Sequence, residues 1–172
     1  MDNQTLLGHL HAHFPQAILA SNMAHGALSV TLRREAYVAV AQGLRDDADL
    51  RYTFLENLCA VDYLGRIPRF EVVVHLVSMH HRHRVCFKVG LSEDDPALPS
   101  LTSLFPTANY QEREAFDLMG ITFIGHPSLA RILLPDDWVG HPQRKDHPLL
   151  EEEIAFTFNQ ERIYAHKPFA QK

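Results

Sequence analysis

From Phe70 to Val77 the chain reads Phe-Glu-Val-Val-Val-His-Leu-Val, an almost continuously apolar run. Such a run predicts a strand covered on both faces, because a strand with one wet face alternates apolar and polar side chains. A covered strand commits the chain to a sheet with other elements packed on it. Val85, Phe87 and Val89, alternating with Cys86 and Lys88, supply a second strand. The polar stretch Met79-His80-His81-Arg82-His83 between them reads as a hairpin loop.

Upstream, Thr5 can cap a first helix that carries Leu6, Leu7, Leu10 and Phe14 on one side and stops at Pro15. Ala17 to Ala20 reads as a short strand. Leu28, Val30 and Leu32 then alternate with Ser29, Thr31 and Arg33, and Gly26 suits a hairpin turn between the two. Tyr37, Val38, Ala41 and Leu44 recur at helical spacing within Arg34 to Leu44, and Gly43 weakens the end of that helix. Asp46 to Asp49 is a charged loop, and Tyr52 to Val61 is extended in part. This order predicts an α+β fold: a two-layer domain with a mixed β-sheet covered by helices.

With 172 residues, 46% of them hydrophobic and 22% charged, one domain with an appendage is expected. The 16 cationic and 21 anionic side chains are interspersed, leaving a net charge of −5 and no basic stripe for a phosphate backbone. Nucleic acid is thereby excluded as an expected partner. No apolar run approaches the ~20 residues that span a bilayer. The start, Met1-Asp2-Asn3-Gln4, has neither a secretory nor a transit character. The expectation is a chain that folds where it is made and meets a membrane only through partners. Cys59 and Cys86 sit in apolar contexts without a Cys-x-x-Cys, as buried thiols in a reducing compartment do. Two thiols are too few for a four-cysteine iron–sulfur cluster. Gly-x-Gly-x-x-Gly, Walker and Gly-x-Ser-x-Gly motifs are all missing from the sequence.

Ser92 to Pro106 reads as a loop with a helical turn at Ser100 to Leu104. The next element is sharply bounded. Asn109 is a good N-cap, Glu112 stands three residues later as in a capping box, and Gly120 suits the left-handed position that ends helices. A helix from Tyr110 to Met119 follows, with Phe116 and Met119 on one face and Arg113 within reach of Asp117. Ile121 and Phe123 then alternate with Thr122 and Ile124. From Pro135 onward, Pro142, Pro148 and Gly140 leave no room for an ordinary helix, yet Leu133, Leu134, Trp138, Leu149, Leu150, Ile154, Phe156 and Phe158 are apolar. Disordered tails are poor in such side chains. The expected organisation is a domain over 1–130 and an extended, irregular docking tail over 131–172 that lies on a partner.

Candidate chemistry reduces to a few clusters. His9, His11 and His13 cannot converge on one metal from one helix, because His11 points away from the other two. His80, His81 and His83 read as a polar hairpin tip. Glu112 and Glu114 diverge by two ~100° steps around the helix, so the paired carboxylates read as structural. Asp136-Asp137 and Arg144-Lys145-Asp146 read either as solvated charges or as rim ion pairs that set register on a partner. No catalytic, cofactor-binding or metal-ligating residue is expected in this chain.

The residues around that helix also resemble a known family. Glu112-Arg113-Glu114-Ala115-Phe116-Asp117-Leu118-Met119-Gly120 through Phe123 is similar to the signature of the respiratory complex I 30 kDa subunit family, part of the NADH–quinone oxidoreductase. Gly125-His126-Pro127, Arg131-Ile132-Leu133-Leu134-Pro135-Asp136-Asp137-Trp138, Gly140-His141-Pro142 and Arg144-Lys145-Asp146 follow as that family's second block. Tyr110, Ala130, Gln143 and His147 depart from the usual pattern. The resemblance implies a cofactor-free structural subunit of the peripheral arm of a proton-translocating complex, on the cytoplasmic side of the membrane. It would pack against the quinone-site, 49 kDa-like subunit and near the iron–sulfur subunits. FMN, iron–sulfur clusters, NADH and quinone would belong to other subunits. It also casts Glu112, Arg113, Glu114, Asp117, His126, Arg131, Asp136, Asp137, Trp138, His141, Arg144, Lys145 and Asp146 as the partner-docking set. Two alternatives stand beside it: the equivalent scaffold of a membrane-bound hydrogenase or formate hydrogenlyase, and a free-standing histidine-dependent metalloenzyme.

Overall fold

The computed structural model describes residues 2–147 and 160–166. Helix α1 (Asn3–His13) is capped by Asp2, whose Oδ1 accepts from the Thr5 amide at 2.7 Å. The cap expected at Thr5 is therefore misplaced: Thr5 sits in the first turn and supplies the orphan donor. A carboxylate serves this position better than a hydroxyl, because its charge meets the positive end of the helix dipole.

Strands β1 (Ile18–Ala24) and β2 (Ala27–Leu32) form the expected hairpin, with His25 and Gly26 at φ 52° and 77°. Two successive positive φ values make a type I′ turn, whose twist matches the flanking strands. β1 runs further than its sequence suggests, because pairing with β2 carries Ser21 and Asn22 into the ladder despite their poor strand propensity. A 3₁₀ turn (Arg34–Ala36) leads into α2 (Tyr37–Asp46). Gly43 does more than weaken that helix. A Cβ there would stand 2.5 Å from Phe14 Cζ, so its absence admits the Phe14 ring against α2.

Strands β3 (Phe54–Asp62), β4 (Phe70–Ser78) and β5 (His83–Leu91) follow. Among the described residues the main sheet has the order β1-β2-β5-β4-β3, in which only the β2–β5 pair is parallel. Leu6, Leu10, Tyr37, Val40, Ala41 and Leu44 of the helices share one core cluster with Leu28, Val30, Phe70, Val72, Val74, Leu76, Val85, Phe87 and Val89 of the strands. Burying each such side chain contributes roughly 1.5–3 kcal/mol. The second face of β4 is less covered than its apolar run implies: Val73 is 9% exposed, while Glu71, His75 and Val77 are half-buried. Cys59 and Cys86 lie on the strands flanking it and are half-buried, and desolvation raises both thiol pKa values.

Beyond β5, the expected loop contains a strand, β6 (Ala97–Pro99), paired in parallel with β7 (Thr122–Ile124). Three residues are too few to show a period. Between them runs α3 (Ala108–Met119), which lies along β3. Gly120 ends α3 at φ 73°, the left-handed conformation expected. Helix α4 (Gln160–His166) contributes the buried Ile163. Pro148, Leu149, Leu150, Ile154, Phe156 and Phe158, on which the expectation of a partner-seeking tail partly rests, lie outside the described residues.

Candidate docking surface

The signature residues of α3 turn out to hold their own chain. Glu112 is fully buried and does not turn back toward Asn109 as a capping box. Its carboxylate accepts from Ser100 Oγ at 2.6 Å and from the Leu101 amide at 2.7 Å. The helix begins earlier than expected, after Thr107, whose hydroxyl donates to the Leu55 carbonyl of β3 instead of capping. Desolvation raises the Glu112 pKa, against the pull of those two donors.

Arg113 does not pair with Asp117. Its Nε and Nη2 each donate at 2.9 Å, to the carbonyls of Ala130 and Arg131. Asp117, 1% exposed, instead organises the following segment. Its Oδ2 accepts from the amides of Ile132, Leu133 and Leu134 at 2.9–3.0 Å, and its Oδ1 from Arg131 Nη1 at 3.0 Å. Burial pushes this carboxyl pKa up, but the amides of Leu134, Leu133 and Ile132 and the Arg131 charge outweigh it, so the pKa is lowered. Arg131 Nη2 also donates to the Trp138 carbonyl, closing a loop over residues 131–138.

A second anchor fastens residues 141–146. His141 Nδ1 donates to the Asp117 carbonyl at 2.9 Å, and Arg144 Nε to the Met119 carbonyl at 2.7 Å. Arg69 lies beneath them, 4% exposed, and bonds Asp62 through both Nε and Nη2. It also pairs with Glu93, and with Asp146 at 2.9 Å. Arg69 and Arg144 both stack on the Phe70 ring, at 4.9 and 5.0 Å. The Lys145 amide completes the knot by donating to Asp62 Oδ2. Arg69 and Asp62 have no place in the signature-based set. In the sequence Arg69 stands directly before the apolar run, and Val61-Asp62-Tyr63 belongs to the looser upstream part of the family resemblance.

The strap over residues 131–147 thus has two sides. Arg131, His141 and Arg144 face the domain, and His126 beside them is held by the Ser128 amide on Nδ1 while its Nε2 donates to the Asn109 carbonyl. Glu114, Asp136, Asp137, Lys145 and half-exposed Asp146 reach solvent. So do Leu133 at 61% and Val139 at 90% exposure. Trp138 is half-buried.

The histidines meet in pairs, and His80 lies edge-on to His81. His9 stacks on His13, and His83 links Tyr52 Oη to Asn3 Oδ1 rather than standing at a hairpin tip. Among the described residues no three His, Cys, Asp or Glu side chains are placed to hold a metal ion, and no helix is long and apolar enough to cross a membrane.

Residues 30–153 match the model of a family described as respiratory-chain NADH dehydrogenase, 30 Kd subunit. The chain belongs to that family. It is 63% identical over 172 residues to an NADH-quinone oxidoreductase subunit of Roseiflexus castenholzii, covering 100% of this chain and 99% of the relative. The corresponding subunit of Herpetosiphon aurantiacus is 54% identical over the same 172 residues, again with 100% and 99% covered. A solved structure described as a trypsin-resistant fragment (1-134) of Nqo5 is 32% identical, with a TM-score of 0.65 over 75% of this chain and all of that one. A chain of an archaeal membrane-bound sulfane sulfur reductase has a TM-score of 0.74 over 97% of this chain and 91% of its own, at 17% identity, and shares the fold. Membership places the chain among the subunits of a multi-subunit NADH-quinone oxidoreductase, complex I of the respiratory chain.

Proposed function

We propose that this chain is a cofactor-free structural subunit of the peripheral arm, and that the outer side of its strap docks on the quinone-site, 49 kDa-like subunit. The carrying observation is the two-sided strap. Asp117 and Arg69 fix residues 131–147 on the domain, while Leu133 and Val139 are held outward on a segment that also exposes Asp136, Asp137 and Lys145. Apolar groups on a fixed backbone lose little entropy when a partner covers them, which is what makes an effective contact centre. The charged rim would set register more than affinity.

On this reading the chain moves no electrons. It holds neighbouring subunits in place while the NADH, flavin, cluster and quinone chemistry proceeds on other chains, and it reaches the cytoplasmic side of the membrane through them. The test is Leu133→Asp with Val139→Asp, both at exposed positions, introduced into the complex. The variant chain is expected to fold with an unchanged melting midpoint and to be lost from the purified complex, with quinone reductase activity lost alongside it. Normal stoichiometry of the variant would refute the docking role. A stoichiometric metal or flavin in the separately purified chain would refute the cofactor-free one.

A further inference from the structure

The two edges of the main sheet are finished differently. Along β3, Gln111 Oε1 of α3 accepts from the Leu58 amide and the Thr107 hydroxyl donates to the Leu55 carbonyl, so that edge is occupied by side chains. At the opposite edge, β1 pairs with β2 alone among the described residues. Every residue from Leu19 to Ala24 is exposed, with Leu19 at 55% and Met23 at 46%. Natural edges are usually blunted by lysine, proline or an inward charge. Ile18-Leu19-Ala20-Ser21-Asn22-Met23-Ala24 contains none of these. Its one blunting device is a register shift between Ile18 and Ala20, which leaves Ala20 to Ala24 regular.

The register also says which groups point outward. In a two-residue hairpin the flanking pair, here Ala24 and Ala27, exchanges both hydrogen bonds. Antiparallel pairs alternate, so Asn22 and Ala20 also bond β2, while Ser21 and Met23 turn their N–H and C=O away from it. Ser21 and Met23 stand opposite Val30 and Leu28, whose side chains enter the core. The free edge therefore offers two donors and two acceptors, with methionine on the apolar side of the sheet.

We propose that Ala20 to Ala24 receives a short extended segment of another subunit of the complex, which adds a sixth strand beside β1. A row of alternating donors and acceptors is matched by an extended backbone, the basis of strand addition. The occupant is a different subunit rather than a second copy on grounds of area. Pairing along five residues falls far short of the ~1,200–2,000 Å² that a stable interface buries. A strand bound here must belong to a protein held to this chain elsewhere as well, which membership in a multi-subunit complex supplies. The proposal needs that membership and does not need the strap to be the docking site.

Amide exchange tests it on the wild-type chain, alone and in the purified complex. The Ser21 and Met23 amides are expected to exchange freely in the isolated chain and at least tenfold more slowly in the complex. Equal exchange in both would overturn the proposal, as would concentration-dependent protection in the isolated chain, which would identify a second copy as the occupant. Ser21→Pro adds an independent arm. It removes only the outward donor and leaves the bonds of Ala20 and Asn22 to β2, so the hairpin persists. Recovery of this variant with the complex should fall severalfold, and unchanged recovery would count against the added strand. Protection at Ser21 that persists after Leu133→Asp and Val139→Asp would separate this contact from the strap.

Discussion

Asp117, Asp62 and Glu112 are buried carboxylates whose environments push them in opposite directions. Asp117 and Asp62 have lowered pKa values: at Asp117 burial is outweighed by four donors, and at Asp62 the Arg69 hydrogen bonds dominate. A carboxyl depressed below its unfolded value of ~3.9 stabilises the fold fully above that pH and loses its contribution as pH falls through the folded value. Glu112 is raised by desolvation, so its contribution is complete below the unfolded value and is lost as pH rises through the folded one. Two outcomes follow. The melting midpoint should fall on acidification below about pH 4, and Asp117→Asn should flatten that slope while lowering stability at pH 7 by roughly 1–3 kcal/mol. Glu112→Gln should keep stability at pH 7 within about 1 kcal/mol of wild type, whereas Glu112→Ala should cost about 1–3 kcal/mol by stranding Ser100 and Leu101. Thermal melts across pH read both. At this scale the sequence shows which residues matter but not their partners. Arg113 and Asp117 are spaced for a pair, yet each finds stronger, multi-point partners in residues 130–134 that no local spacing reveals.

Element by element, periodicity exposes α1, α2, β2 and β5, and an unbroken apolar run exposes β4, because their buried faces extend over six or more residues. It fails at β6, whose three residues form a strand only because β7 lies beside them. The end of α3 is legible from Gly120, which also proves to be a junction with the strap. A Cβ at Gly120 would lie 2.5 Å from both Arg144 Nη2 and His141 Nε2, on a backbone at φ 73°. Gly120→Ala should therefore lose about 1 kcal/mol from the left-handed conformation alone and more from displacing the strap. Chemical denaturation gives the total. Exchange of the Gln143 amide, bonded to the Leu118 carbonyl, reports whether the strap has lifted.

For the molecule as a whole, the α+β class follows from the order of elements, while the parallel β2–β5 pairing that makes the sheet mixed has no local signature. The same holds for the Arg69 knot, which joins β3, β4, the segment after β5 and the strap, from Asp62 to Asp146. Arg69→Met should cost about 3–5 kcal/mol, because Asp62 would be left buried without its counter-charge. Asp62→Asn in the same chain should return part of that loss, the non-additivity expected of partners in contact. Arg113, Asp117, Arg131, His141 and Arg144 fold the strap onto its own domain, and on the proposed reading this fixes the face it would offer to a partner. Amide exchange at Ile132, Leu133 and Leu134 in the isolated chain measures this directly. Protection is expected at all three and should disappear in Asp117→Ala, while the β4 amides stay protected. Rapid exchange of these three amides in the isolated wild-type chain would contradict a strap fastened by Asp117.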